Sequence, residues 1–184
     1  MSSGLVSVRY AKALFEFAKG NDSLDQVYHE SKLLSDAFIR LNDFRLVLDN
    51  PVLNDNEKRK LIFTGAGIKV SETLERFIEL LIKNKRISYL QTIALNFISY
   101  YREYKNVHYG KLITADKTDL KIELKLIDAI ERETGGVIEF EKMVDPTILG
   151  GFIFEVDFKR WDASMKGQLN IIRNEFIQRN LKTM

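Results

Sequence analysis

The sequence predicts a mainly α, α+β protein: an N-terminal six-helix bundle over residues 1–105, followed by a small β-α-β-β-α domain over residues 106–184. Three observations carry that prediction. Apolar residues recur at helical spacing from Leu5 to about Tyr104, broken only by short turn signals. Past Asn106 the pattern changes, and Val107–Ala115, Val137–Val144 and Phe152–Phe158 read as strands bounded by glycine-containing turns. A chain of 184 residues that is 45% hydrophobic and 29% charged can bury one large core or two small ones without staples.

The first helix, around RYAKALFEFAKG at residues 9–20, is apolar over an unusually wide arc. Val8, Tyr10, Ala11, Ala13, Leu14, Phe15, Phe17 and Ala18 cover roughly 220°, where a surface helix needs little more than about 100°. One face can enter a core, and the remainder requires another partner. Gly20-Asn21-Asp22 ends this helix, and Ser23 with Gln26 three residues on is a capping-box signature for the second. That second helix turns Leu24, Val27, Tyr28, Leu34, Phe38 and Leu41 inward. A short third helix around Phe44–Leu48 stops at Asn50-Pro51, because the residue before proline is driven out of the α region. Asn54 with Glu57 opens a fourth, closed by Gly65 and Gly67, and Ser71 caps a fifth carrying Leu74, Phe77, Ile78, Leu80, Leu81 and Ile82. The fifth arc is also wide, about 200°. A sixth helix from about Ser88 to Tyr104 places Leu90, Ile93, Ala94, Phe97, Ile98 and Tyr101 at helical spacing over roughly 180°. Width alone therefore does not separate a docking helix from a central one.

In the second part, Asp119–Thr134 reads as a helix ended by Gly135-Gly136. The segment FIFEVDF alternates as a half-buried strand, with Phe152, Phe154, Val156 and Phe158 on one face and Ile153, Glu155, Asp157 and Lys159 on the other. Ser164 opens a last helix in which Met165, Leu169, Ile172 and Phe176 form a single packing stripe. At about 80 residues this part has a core worth only a few kcal/mol, so it is expected to be marginal alone, with a neighbour or partner available to order it.

Several chemistries are excluded or disfavoured. Without cysteine there is no disulfide, thiolate zinc site or cysteine nucleophile. His29 and His108 are far apart and lie in no metal or triad pattern. Thr64–Lys69 lacks phosphate-loop spacing and follows a helix rather than a strand, so it reads as a helix terminator. Glu139 and Glu141 share one strand face as its wet side and make no acid–base pair. Trp161, between Arg160 and Asp162, reads as an edge-anchoring aromatic, and Tyr100, Tyr101, Tyr104 and Tyr109 as packing groups that weld the two parts together. No metal, cofactor or catalytic residue is expected. A net charge of +2 is too small to point to nucleic acid, and the clusters Lys58-Arg59-Lys60 and Lys83–Arg86 sit where helices take solvated or C-terminal positive charge. The N-terminal residues lack the apolar core of a signal peptide, and no run of about 18 apolar residues occurs, so membrane contact is expected only through other proteins.

Four segments in register, RYAKALFEFA, LDNPVLNDNEKRKLI, FIELLIKNKRISYL and VDPTILGGFIFEVDFKRWDASMKGQL, resemble the delta subunit of bacterial rotary ATP synthases, the family of the mitochondrial oligomycin-sensitivity-conferring protein. The likeness spans nearly the whole chain. It implies a non-catalytic stator subunit, one copy per proton- or sodium-translocating complex, peripheral on the cytoplasmic face of the bacterial inner membrane. It further implies that the N-terminal bundle binds amphipathic N-terminal helices of the alpha subunits in a groove between its first and fifth helices. The C-terminal part would engage subunit b of the peripheral stalk, so that head and membrane sector resist rotor torque. Carried onto this sequence, the groove falls to Tyr10, Ala13, Leu14 and Phe17 of the first helix and to Leu80 and Asn84 of the fifth, a face expected to be exposed in the chain alone. The chain departs from the family at Asp162-Ala163-Ser164, where a glycine is common at the middle position; if that position needs a positive φ, the turn is reshaped here. The competing class is a small RNA-binding or ribosome-associated protein, suggested by the β-α-β-β-α part and the Lys83–Arg86 cluster, although the predicted sheet shows no paired aromatics on an open face.

Overall fold

The computed structural model describes residues 3–41, 43–67, 69–116, 127–128, 131–132, 135–156 and 159–182. The chain divides into two compact units, residues 1–105 and 106–184.

The first unit consists of α1 (Ser3–Gly20), α2 (Leu24–Arg40), α3 (Phe44–Asp49), α4 (Asp55–Ala66), α5 (Glu72–Lys83) and α6 (Leu90–Lys105), the last preceded by a 3-10 turn at Ile87–Tyr89. α6 is the central helix: it packs along both α1 and α2 and buries Leu90, Ile93, Ala94, Phe97, Ile98 and Tyr101. Buried in the same core are Ala11, Leu14, Phe15 and Ala18 of α1 and Val27, Tyr28 and Leu34 of α2. The small residues Ala11 and Ala18 permit close helix approach, while Phe15 meets Phe97, Tyr100 and Tyr104. Tyr101 lies flat on Tyr28, with ring centroids 3.8 Å apart.

Helix boundaries follow local chemistry. Asn50 is extended (ψ 122°) before Pro51 and stops α3. The Asn54–Glu57 capping box is complete: the Glu57 amide donates to Asn54 Oδ1 at 2.9 Å and the Asn54 amide to Glu57 Oε2 at 3.0 Å. Gly67, at φ 131°, ends α4. Ser71 caps α5 by accepting from the Leu74 amide at 3.2 Å. Three expectations fail. Gly65, expected to close α4 together with Gly67, lies inside its last turn. Ser23 precedes α2 but makes no side-chain cap; its hydroxyl donates to the Ala18 carbonyl at 3.3 Å and meets the Thr73 hydroxyl at 2.9 Å, so a tertiary contact has displaced the local one. Leu41 is not inward: it lies one residue past the end of α2, where the extended backbone turns it out to 55% exposure.

At the end of α6, Tyr101 donates to Asp25 Oδ1 at 2.5 Å and Lys105 Nζ lies 3.3 Å from the same oxygen. The Tyr101 hydrogen bond, reinforced by Lys105 against a smaller effect of burial, holds the Asp25 carboxyl below its ordinary range. A depressed folded-state pKa gives stability that is present above the unfolded value of about 4 and lost as the pH falls through the folded one. Asp25→Asn should therefore lower the thermal midpoint at pH 7 and flatten its acid limb, so that variant and wild-type curves converge toward about pH 2. Parallel curves would show that the bond adds nothing; the exposed carboxylate keeps the expected effect small.

The second unit holds β1 (Val107–Thr114), β2 (Val137–Val144), β3 (Phe152–Val156), β4 (Lys159–Asp162) and α7 (Met165–Lys182). The sheet order is β2-β1-β3-β4, with β1 parallel to β2 and antiparallel to β3, and β4 antiparallel to β3. A parallel β1–β2 pair requires a long crossover. The helix expected at Asp119–Thr134 falls in that crossover and lies outside the described residues, apart from 127–128 and 131–132, which are helical. One sheet face carries the core: Leu112, Ile138, Phe154 and Val156, flanked by Phe140, Phe152 and Trp161. The alternation expected of FIFEVDF holds for Phe152, Phe154 and Val156 on this face; Asp157 and Phe158 lie outside the described residues, Lys159 belongs to the next strand, and Ile153 on the other face is buried as well, opposite Ile113. The strand β4 was not legible: KRWD is short and charged, as suits a sheet edge, and Trp161 anchors it against Phe154.

Leu149, Gly150 and Gly151 all have positive φ, and the turn they form seats the start of α7: the Met165 amide donates to the Gly150 carbonyl at 3.0 Å and the Ala163 amide to the Phe152 carbonyl at 2.9 Å. Ala163 itself does not enter the positive-φ region, so the alanine is unstrained. Asp162 Oδ1 instead holds the turn by accepting from the Ser164 amide at 3.0 Å, and Ser164 Oγ caps α7 by accepting from the Gly167 amide at 3.0 Å.

Candidate protein-binding surface between α1 and α5

α1 and α5 run antiparallel across one side of the bundle. Tyr10 meets Phe77 edge-on (ring centroids 6.3 Å apart) and its hydroxyl accepts from Asn84 Nδ2 at 3.3 Å, while Phe17, two turns further along α1, lies beside Thr73 and Arg76 at the other end of α5. Side chains at positions 10, 13 and 17 of α1 and 73, 77, 80 and 84 of α5 share this side because each set advances by three or four residues.

The sequence-derived wall is largely open. Phe17 is 40% exposed, Leu80 is 46% exposed, Ala13 and Asn84 are exposed and Tyr10 is half-buried. Leu14 departs from the expectation: at 2% exposure it belongs to the bundle core. It lies four residues before Ala18 and three after Ala11, both fully buried, so the turn of the helix carries it inward and it supports the wall from below.

Sequence reasoning missed the polar end of this surface. Phe17, Asn21, Ser23, Gln26, Ser71, Glu72, Thr73 and Arg76 line a cleft of about 340 Å³. The recurrence Thr73–Phe77–Leu80–Asn84 at four, three and four residues was the available signal for the α5 side. The surface thus joins an apolar stripe, with aromatic rings and a small Ala13 that admits a backbone, to a hydroxyl- and amide-lined end. It is suited to an amphipathic helix with a polar terminus.

A second exposed apolar surface lies on α7. Met165, Leu169, Ile171, Ile172, Phe176 and Ile177 are all exposed, so the stripe expected to pack at Met165, Leu169, Ile172 and Phe176 lies open along its length. The basic clusters are not gathered into a phosphate site: Arg59 pairs with Glu75 and, at 2.9 Å, with Glu79, and Lys85 occupies the positive-φ turn after α5. Among the described residues no three His, Asp or Glu side chains group as metal ligands, and no helix is long and apolar enough to cross a membrane.

A helical bundle with an open two-helix surface, joined to a small sheet whose terminal helix also shows an apolar face, is an assembly subunit whose chemistry lies in contacts. The family model for the ATP synthase delta (OSCP) subunit matches residues 6–176, and the chain belongs to that family, a non-catalytic component of the ATP synthase stator. ATP synthase subunit delta of Phocaeicola vulgatus is 39% identical over 181 residues, 98% of each chain, and that of Bacteroides fragilis is 39% identical over 182 residues, again 98% of each. A chain in the cryo-EM structure of the Toxoplasma gondii mitochondrial ATP synthase hexamer shares the fold, with a TM-score of 0.64 at 22% identity over 93% of this chain and 97% of that one.

Proposed function

We propose that this chain ties the top of the catalytic head to the peripheral stalk and holds them together against rotor torque. Residues 1–105 bind N-terminal helices of the alpha subunits, and residues 106–184 engage subunit b. The observation that carries this reading is the open α1–α5 surface, where Phe17 and Leu80 remain exposed beside Tyr10, Ala13 and Asn84 in a member of a stator family. The exposed stripe on α7 supports the second contact. In this reading one copy serves each proton- or sodium-translocating complex, on the cytoplasmic face of the bacterial inner membrane, and the chain meets the membrane only through other subunits.

Affinity purification through a tag on this chain should bring down alpha and b together. Substituting aspartate for Leu169, Ile172 and Phe176 places charge along one exposed face with little cost to folding. It should release b by at least about tenfold while alpha is retained, the behaviour of two independent contacts. Loss of alpha with b retained would assign the contacts the other way round.

A further inference from the structure

We propose that Glu30 is a positioning residue for the α1–α5 groove: buried in the bundle, it fixes the N-terminus of α5, and with it the distance between the two walls. This rests on the groove being the docking site for alpha.

Glu30 lies on α2 and is 3% exposed, an unusual position for a carboxylate. Both its oxygens are committed to Ser71, the residue that caps α5. Glu30 Oε1 accepts from the Ser71 amide at 2.5 Å and Oε2 from the Ser71 hydroxyl at 2.7 Å. The Ser71 oxygen accepts in turn from the Leu74 amide, so its single proton goes to Glu30 and the cap and the anchor complete each other. A negative charge here also complements the positive end of the α5 dipole. Two residues on, the Thr73 hydroxyl meets Ser23 Oγ, whose own proton goes to the Ala18 carbonyl of α1. The first turn of α5 is thus pinned by buried bonds to α2 through Glu30 and by half-buried ones to the end of α1 through Ser23.

These bonds lie at the end of the groove that Phe17 and Arg76 border. At its other end α5 meets α1 through the exposed Tyr10–Asn84 bond and the Tyr10–Phe77 edge contact. The buried end is therefore the fixed one. Preorganisation matters because a groove whose walls must be drawn together on binding loses affinity to that ordering. Apolar packing alone would hold the bundle; a buried carboxylate with two directional bonds to one residue sets a particular helix position.

The test is calorimetric titration of the intact chain with a synthetic peptide of the cognate alpha subunit's N-terminal segment, below the unfolding midpoint of every variant. Glu30→Ala should weaken binding about tenfold, since both Ser71 donors lose their acceptor. Glu30→Gln, which keeps shape and one acceptor, should weaken it less. Ser71→Ala should resemble Glu30→Ala, and Glu30→Gln combined with Ser71→Ala should be no weaker than the poorer single variant, the mark of a shared interaction. Leu48→Ala, a core change in α3, should lower the thermal midpoint and leave affinity unchanged. Should Glu30→Ala not fold, Glu30→Gln and Ser71→Ala carry the same comparison. Wild-type binding with Glu30 and Ser71 variants that bind equally well would overturn the positioning role alone. A wild-type chain that does not bind the peptide would overturn the groove assignment and this inference with it.

Discussion

Replacing Phe17 with alanine is expected to weaken binding of the alpha N-terminal peptide by more than about 2 kcal/mol, about thirtyfold, with the fold intact. Phe17 is the largest exposed apolar side chain of α1, and its ring stands where the apolar stripe gives way to the polar cleft. A ring 40% exposed in the free chain has surface left to bury, and burying it against a partner is the anchor behaviour that concentrates binding energy in a few aromatic residues. With two-fifths of the side chain exposed, truncation costs less packing than at a fully buried phenylalanine. A loss of affinity much larger than the loss of stability is therefore the expected signature. Unchanged affinity, measured calorimetrically on folded protein, would remove Phe17 from the groove.

Gly151→Ala is expected to disorder the second unit while leaving the bundle helical. A Cβ at this position would lie 2.2 Å from the Ala163 carbonyl oxygen, and the backbone is at φ +75°. The contact is with main chain held by the Ala163–Phe152 hydrogen bond, so it cannot swing aside. Strain from the left-handed conformation and from overpacking together cost about 3 kcal/mol, comparable to the whole margin of a domain this small. The chain has a single tryptophan, Trp161, half-buried against the core of this unit. Its fluorescence therefore reports the second unit, while far-UV circular dichroism is dominated by helix. The variant should show a red-shifted Trp161 with most of the helical signal kept; wild-type emission would show that the turn relaxes without cost.

The reach and the failures of the sequence reading have common physical causes. Helices were legible because each was delimited by local chemistry: Asn50-Pro51, the Asn54–Glu57 box and the Ser71 cap act within a few residues and form as written. Ser23 shows the limit, since the same residue type that caps locally was taken by Thr73, fifty positions away in sequence. The strand β4 went unread because its stability comes from pairing with β3 and from one tryptophan, neither of which leaves a period. For the surface, arc width identified α1 and α5 as over-apolar but could not say where the core ends. Ala13 and Phe17 stayed outside, Tyr10 lies half-buried at the edge, and Leu14 went inside, because the direction of α6 decides which part of an arc of roughly 220° is covered. Glu30 was invisible for the opposite reason: a carboxylate in an amphipathic helix reads as solvated until its partner's position is known.

The central claim is that the α1–α5 surface receives the alpha subunit, and the absence of cysteine from the chain makes a direct measurement simple. Ala13→Cys and Leu80→Cys place single thiols on opposite walls. Each is coupled to a short photoactivatable cross-linker, the chain is assembled into ATP synthase, and the adducts are sequenced by mass spectrometry. Both positions should capture the same N-terminal segment of an alpha subunit, at residues one or two helical turns apart. Adducts confined to subunit b, or the absence of alpha from both, would contradict the account.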